Sequence, residues 1–355
     1  MDFDFFSKTL SEICEHSLVS PGRPLHCTII LNPAAGGFTI TSRRKLHEKT
    51  LKEYLEKARV NPLRDMPKKT EVIQTDAKGS GEKITNAVID EAKEKPENFY
   101  LVISAGGDGT HWEVMYALYN APAHVRSNIA VLRLPLGTGN DGSDGASLSG
   151  ALDLLINPVR IEFAPAVQLV TSSNGPAKSG SPYLAFNILS IGLDAFVTHM
   201  TNKMKGKMPG DSYKLWVNVA ALFYDTIYKV DYLDVKALDQ QNRVIQTFRE
   251  KLLLLAMGAS GNRTYGSQEK ILPDDRNVCG LKQMPLNRKL TIKGKVTKGE
   301  HAGNPEVLIF SANRLEFTGS HPLLAQMDGE TVRLEPEDFP ASMELTAPVI
   351  PLLKM

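Results

Sequence analysis

Between His26 and Ile156 the apolar residues follow two alternating rhythms, continuous β-type runs and stretches in which apolar positions recur three or four apart. The runs predict strands over 26–31, 70–74, 99–103 and 129–134, and the second rhythm predicts helices over about 41–58, 81–93, from 110 onward and near 147–156. Leu46, Leu51, Leu55 and Ala58 are spaced to form one buried helical face. Such alternation implies a mostly parallel sheet with helices on both faces.

After Asn157-Pro158 the texture changes to short β-type runs, over 159–163, 183–189, 230–235, 251–257, 289–292, 307–310 and 314–317, with one helix over about 212–228. This half predicts a mainly antiparallel β-sandwich, and the Ser-, Gly- and Pro-rich stretch 171–182 a hairpin loop. Three parts follow: an N-terminal extension (1–25) ending in Pro21-Gly22-Arg23-Pro24, an α/β domain (26–158) and a β-rich domain (159–339).

Two segments hold the most chemistry. Ser104-Ala105-Gly106-Gly107-Asp108-Gly109-Thr110 and Leu134-Pro135-Leu136-Gly137-Thr138-Gly139-Asn140-Asp141 each leave a strand and enter a helix-like stretch. Phosphate approaches main-chain N–H groups closely only where Cβ atoms are missing, and the following helix N-terminus adds partial positive charge. An aspartate in such a loop repels phosphate directly, so it points to a Mg²⁺ ion, or to a proton being removed, beside the phosphates. A third turn, Asn32-Pro33-Ala34-Ala35-Gly36-Gly37, leaves the first strand at the same end of the sheet, where open α/β sheets bind ligands. The first domain therefore reads as a Rossmann-like nucleotide domain. Gly137, Gly139 and Gly142 also spell G-x-G-x-x-G with Glu162 about twenty residues on, but this match falls on the fourth strand and leaves the Gly106 loop unexplained. The chain has neither a G-x-x-x-x-G-K-[ST] loop nor a kinase H-R-D triplet.

Composition narrows the partners. The 355 residues carry 41 basic and 40 acidic side chains, a net charge of +1, which argues against nucleic acid. Cys14, Cys27 and Cys279 lie far apart, so neither a disulfide framework nor a metal cluster is indicated, and a reducing, cytoplasmic setting is expected. The eight histidines lack ligand spacing. The N-terminus does not read as a signal peptide, and no apolar run approaches the roughly 20 residues of a transmembrane helix. Peripheral contact with a membrane stays open through Lys203, Lys205 and Lys207 with Met204 and Met208, and a homodimer stays open too. Tyr213, Trp216, Val217, Ala220, Phe223, Tyr224 and Ile227 form either core or the wall of an acyl-chain pocket.

Taken in order, Asn32-Pro33-x-x-Gly36, Gly106-Gly107-Asp108-Gly109-Thr110 with Glu113-Val114, and Leu134-Pro135-Leu136-Gly137-Thr138-x-Asn140-Asp141 resemble the diacylglycerol kinase catalytic family, which includes soluble bacterial lipid kinases and the sphingosine and ceramide kinases. The resemblance continues through Asn187 to Ala195, Gly258 to Asp274 and Met327-Asp328-Gly329-Glu330. It implies a two-domain kinase in which ATP and lipid meet in a cleft, with the last segment, about 340–355, returning to the first domain. By position Asn32, Gly36, Gly106, Gly107, Asp108, Gly109, Thr110, Gly137, Thr138 and Asn140 would hold ATP. Asp108 and Asp141 would organise Mg²⁺, Asp194 would line the substrate cleft, and Glu330, supported by Asp328, would be the general base.

Phosphoryl transfer needs alignment of a hydroxyl with the γ-phosphate and neutralisation of charge, so these residue types suit it. On spacing alone Asp328-Gly329-Glu330 reads as a β-turn. Three departures stand out. Val278 and Cys279 replace the carboxylates of a structural Mg²⁺ site, Gly142-Ser143-Asp144 replaces Phe-Ala-Arg, and Trp112 replaces a small polar residue. The expected activity is transfer of the γ-phosphate to a hydroxyl of a diacylglycerol, sphingoid or related lipid. A kinase of a soluble hydroxyl compound, NAD included, and a silent nucleotide- or lipid-binding protein are the alternatives.

Overall fold

Strand β1 (Leu25–Leu31) is buried along almost its whole length because it is paired on both edges and covered on both faces, which is why it reads as an uninterrupted apolar run. Its neighbours are β2 (Lys68–Gln74), which alternates in exposure as an edge strand, and β3 (Phe99–Gly106), buried throughout. The computed structural model describes residues 3–20, 22–63, 67–137, 140–144, 147–172, 182–204, 224–265 and 269–355. It divides into two units, Met1–Ala164 with Pro348–Met355, and Pro165–Ala347.

In the first unit β4 (Ile129–Pro135) pairs parallel with β3, and the sheet is completed by β5 (Arg160–Ala164) and the returning strand β19 (Ile350–Lys354), in the order β2-β1-β3-β4-β19-β5. Only β5 runs antiparallel to its neighbour. The helices are α1 (Phe3–Glu15), α2 (Gly36–Thr39), α3 (Thr41–Ala58), α4 (Ser80–Glu94), α5 (Asp108–Asn120), α6 (Ala123–Arg126) and α7 (Leu148–Ile156). Pairing of β5 with β19, and the bond from the Val349 amide to the Ala164 carbonyl, carry the first unit to Ala164 rather than to residue 158, and its last segment begins at Pro348 rather than near 340.

The first 25 residues do not stand apart from this unit. Helix α1 buries Phe6, Leu10, Ile13 and Cys14 in its core, with Phe6 edge-on to Phe38 at 5.0 Å. On α3 the buried face is Leu51, Tyr54 and Ala58, with Leu55 beside it, while Leu46 is 61% exposed. Tyr54 wins its place because its hydroxyl donates to Asp153 at 2.8 Å, so ring burial leaves no unmatched polar atom.

The second unit is organised by one long strand, β10 (Val244–Gly258). Its first half pairs with β9 (Tyr232–Leu238), and its second half lies between β8 (Ile188–Gly192) and β13 (Val278–Lys282), all antiparallel. A bulge between Leu252 and Leu254 turns Leu253 and Leu254 to one face, while Leu252, Leu255 and Met257 face the other. The remaining strands are β6 (Val167–Val170), β7 (Tyr183–Ala185), β11 (Arg263–Tyr265), β12 (Glu269–Leu272), β14 (Val307–Phe310), β15 (Arg314–Thr318), β16 (Leu323–Met327), β17 (Glu330–Leu334) and β18 (Ala341–Leu345). All but β11 and β12 join the large sheet, ordered β17-β16-β8-β10-β9-β15-β18-β6-β7 with β13 and β14 branching from β10. The run at 183–189 is therefore two strands, β7 and the start of β8.

Three described helices accompany these strands: α8 (Leu193–Met204), α9 (Tyr224–Ile227) and α10 (Leu286–Lys298). The α10 segment corrects the strand expected over 289–292. Pro285 and the left-handed Gly299 bracket it, and Ile292 and Val296, four apart, form its buried face. The helix expected over 212–228 lies outside the described residues except for α9, as do Lys205, Lys207 and Met208. Among the described residues no helix is long and apolar enough to cross a membrane.

Because α1 is core rather than appendage, Phe6→Ala should destabilise the first unit by about 3–5 kcal/mol. Urea unfolding is the measurement, and a shift below about 1 kcal/mol would show that α1 is dispensable.

Candidate functional site

At the carboxyl ends of β1, β3 and β4 three turns interlock. The Asn32 amide donates to the Ala105 carbonyl at 3.0 Å, and its side chain spans two turns, accepting from the Ala34 amide and donating to Thr110 Oγ1 at 2.9 Å. Gly36 opens α2, and Gly37 donates to the Leu136 carbonyl at 2.7 Å, joining the first turn to the third. A Cβ on Gly106 would lie 2.6 Å from Thr110 Oγ1, and one on Gly137 would lie 2.6 Å from the Gly107 Cα. Gly109 faces open space. Thus Asn32, Gly36, Gly106, Gly107, Asp108, Gly109, Thr110, Gly137 and Asn140 meet at one end of the sheet, and Thr138 lies outside the described residues.

Asp108 opens α5, and its Oδ1 accepts from the Gly142 amide at 3.3 Å, which ties the acid to the third turn. Asn140 adopts φ 63, a left-handed value that asparagine tolerates, and Asp141 follows it half-buried. Among the described residues no three His, Cys, Asp or Glu side chains gather as a metal cage. Two aspartates fit Mg²⁺, which binds through one or two carboxylates together with phosphate oxygens.

Below the turns lie residues whose roles sequence reasoning did not assign. Arg133, within buried β4, pairs with Asp144 at 2.6 Å, with the two side chains 3% and 1% exposed. Asp144 Oδ2 also accepts from the Arg133 amide at 2.7 Å, and the Asp144 amide donates to the Arg133 carbonyl at 3.1 Å, so the departure Gly142-Ser143-Asp144 folds back onto the strand. A charged residue inside the run 129–134 was the available signal. Glu113 accepts from the Gly79 and Gly81 amides at 2.7 and 2.9 Å, capping the start of α4. His111 is buried with Nδ1 2.8 Å from Ser104 Oγ. Burial lowers its pKa to about 4, reinforced by Arg133 and opposed by Asp108 and Asp144.

In the second unit the turn between β16 and β17 is made by Asp328 at φ 47 and Gly329 at φ 100, the two positive values of a tight hairpin. The Asp328 carboxylate accepts from the amides of Phe186, Asn187 and Ile188. Gln326 Oε1 accepts from the Gly329 amide at 3.2 Å, and its Nε2 donates to Ser190 Oγ at 3.0 Å and Asp194 Oδ2 at 2.9 Å. Asn202 of α8 donates to the Gly329 carbonyl at 2.8 Å. Asp328, Asp194 and Glu330 therefore belong to one neighbourhood, with Asp194 buried and Glu330 exposed. Val278 and Cys279 are buried in β13, where burial pushes the thiol far up, so this strand offers no metal ligand at either position.

The first unit is thus a mostly parallel sheet with glycine-lined, acid-bearing turns, and a β-rich unit is spliced between its last strands. Residues 26–163 match the family model of the diacylglycerol kinase catalytic domain. The chain is similar to the "Probable lipid kinase YegS-like" of Yersinia enterocolitica serotype O:8 / biotype 1B, 24% identical over 232 residues, 64% of this chain and 71% of that relative. It is also similar to the protein of the same name from Enterobacter sp. (strain 638), 25% identical over 235 residues with the same two coverages. In fold it is similar to a diacylglycerol kinase from Bacillus anthracis str. Sterne, with a TM-score of 0.52, 12% identity and 92% and 96% of the two chains covered. The match to the diacylglycerol kinase catalytic domain spans residues 26–163, and with these relatives it makes the chain a kinase with a hydroxyl acceptor.

Gly137→Ala should raise the nucleotide dissociation constant at least about tenfold, because the new methyl meets the Gly107 main chain rather than a flexible side chain. Calorimetric titration with an ATP analogue checks it, and unchanged affinity would mean that the turns need not touch.

His111 also sets a pH dependence. Its folded pKa of about 4 lies below the unfolded value near 6.5, so the unfolded chain takes the proton first. Stability should fall by up to about 3 kcal/mol as pH drops from about 6.5 to about 4. Urea unfolding across this window should give a shallower dependence for His111→Gln, and parallel curves would remove His111 from the account.

Proposed function

We propose that this protein is an ATP- and Mg²⁺-dependent lipid kinase, which transfers the γ-phosphate of ATP to a hydroxyl of a diacylglycerol, a sphingoid base or a related glycerolipid. The observation that carries this reading is the meeting of three bare main-chain turns around Asp108, because a triphosphate needs donors without Cβ atoms and an acid that recruits a cation. The relatives named as lipid kinases support the acceptor class.

In this reading Asn32, Gly36, Gly106, Gly107, Gly109, Thr110, Gly137, Thr138 and Asn140 bind the nucleotide. Asp108 and Asp141 would hold Mg²⁺, which would supply neutralisation of phosphate charge there. Asp194 orients the lipid headgroup. The lipid hydroxyl oxygen bonds to the γ-phosphorus as the bond to the β-phosphate oxygen breaks, ADP departs, and the hydroxyl proton passes to the Glu330 carboxylate. Asp328 has its own carboxylate occupied by three amides, so it holds the turn while Glu330 takes the proton. The enzyme works in the cytoplasm, at the surface of the membrane that contains its substrate.

Purified protein should transfer label from ATP to lipid in mixed micelles and lose this activity with EDTA. Glu330→Gln should lower kcat by about 10²- to 10⁴-fold with little change in KM for ATP. Asp108→Asn should weaken the response to Mg²⁺. Transfer only to soluble polyols or NAD would make it a kinase of soluble compounds, and nucleotide binding without any transfer would make it a silent binding protein.

A further inference from the structure

Helix α10 (Leu286–Lys298) carries Arg288, Lys289, Lys293, Lys295 and Lys298 and no acidic residue, in a chain whose net charge is only +1. Its inner cations are engaged locally: Arg288 pairs with Glu306 at 2.7 Å, Lys289 with Asp225, and Lys295 donates to Asn304 Oδ1 at 2.6 Å. Even with Glu306 and Asp225 counted, positive charge is in excess, and Lys270 adds to it by packing against Gly299. Among the described residues the acids Glu269, bonded to Thr297 Oγ1, and Glu300 stand at its C-terminal end.

Flanking the buried Ile292 and Val296, the solvent side presents Leu286 and Leu290, 43% and 53% exposed, in one stripe with Lys293 and Thr297. Leu286 and Leu290, four apart beside exposed Lys293, each leave about half of an apolar side chain at the surface. The apolar area of two leucines is small for a protein interface, which takes about 800 Å² from each partner. It suits shallow entry between lipid headgroups, where anionic lipids attract the flanking cations.

We propose that α10 is the surface through which the second unit docks on an anionic lipid bilayer. The inference rests on the lipid-kinase reading for its biological sense, and it names a surface separate from the phosphate-binding turns and from the Asp194, Asp328 and Glu330 neighbourhood. Docking places the acceptor-binding unit where a membrane-embedded hydroxyl substrate is found, so its effect falls on KM for lipid in vesicles rather than on the chemical step.

The full chain is sedimented, without ATP, with phosphatidylcholine vesicles lacking or containing phosphatidylserine. Partitioning should increase with phosphatidylserine and decrease with salt. Leu286→Ser with Leu290→Ser, and separately Lys293→Glu with Lys298→Glu, should each reduce it about tenfold or more. Both double variants should keep the wild-type melting temperature and the wild-type turnover on a short-chain lipid dispersed as monomers. Wild-type protein that ignores anionic vesicles, or variants that bind them equally well, would overturn the proposal. So would a concentration-dependent dimer that the leucine variant dissociates, since the stripe would then face a second copy. Vesicle binding is read without nucleotide, so failure of the kinase reading shows up only in the transfer assay.

Discussion

The gap between Gly107 and Gly137 is the constraint on which the catalytic half depends. With room there for no more than a hydrogen atom on Gly137, the turns leaving β3 and β4 can touch main chain to main chain. That contact brings Asp108 within reach of the Gly142 amide and lets Asn32 and Gly37 tie in the turn from β1. Three loops that sequence separates by roughly thirty residues or more then behave as one surface rich in N–H donors. The paired Arg133 and Asp144 underneath hold the third turn from below, replacing with an internal ion pair what a different loop sequence would supply by other contacts.

The second half follows a similar logic with hydrogen bonds instead of glycines. Asp328-Gly329 is a tight hairpin turn, and the turn fixes the start of β17, where Glu330 lies opposite Met327. Gln326 holds both the Gly329 amide and Asp194, so the β16–β17 turn and the start of α8 share one buried amide group as their reference point. Removing a partner from such a network leaves desolvated polar atoms, which is why networks of this kind are rigid when complete.

Much of this was legible because it follows local rules. The buried parallel strands read as apolar runs, and the turn glycines stand where strands end. What was not legible depended on tertiary partners. Helix α1 carries three acids among its apolar residues, yet the apolar ones fall on one face that only the folded sheet reveals. Lys289 to Ile292 has the composition of a strand, and α10 wins because Ile292 pairs with Val296 rather than with a neighbouring strand. Leu46 follows the spacing of α3, but its position on the helix meets solvent while Tyr54 turns inward to Asp153. Within the site, the glycines and Asp108 were readable from type and spacing, whereas Glu113 as a cap and Gln326 as a shared anchor depend on distances no pattern encodes.

Both ends of the second unit leave the first from neighbouring strands. Ala164 closes β5, the Val349 amide bonds to its carbonyl, and just inside the second unit Ala166 and Thr346 are bonded to each other. Topologically the whole second unit is thus an outsized loop on a two-stranded hairpin. Such a loop can be exchanged, enlarged or remodelled over evolution without unthreading the sheet that binds phosphate. A single parallel sheet can in this way carry inserted units of quite different shape.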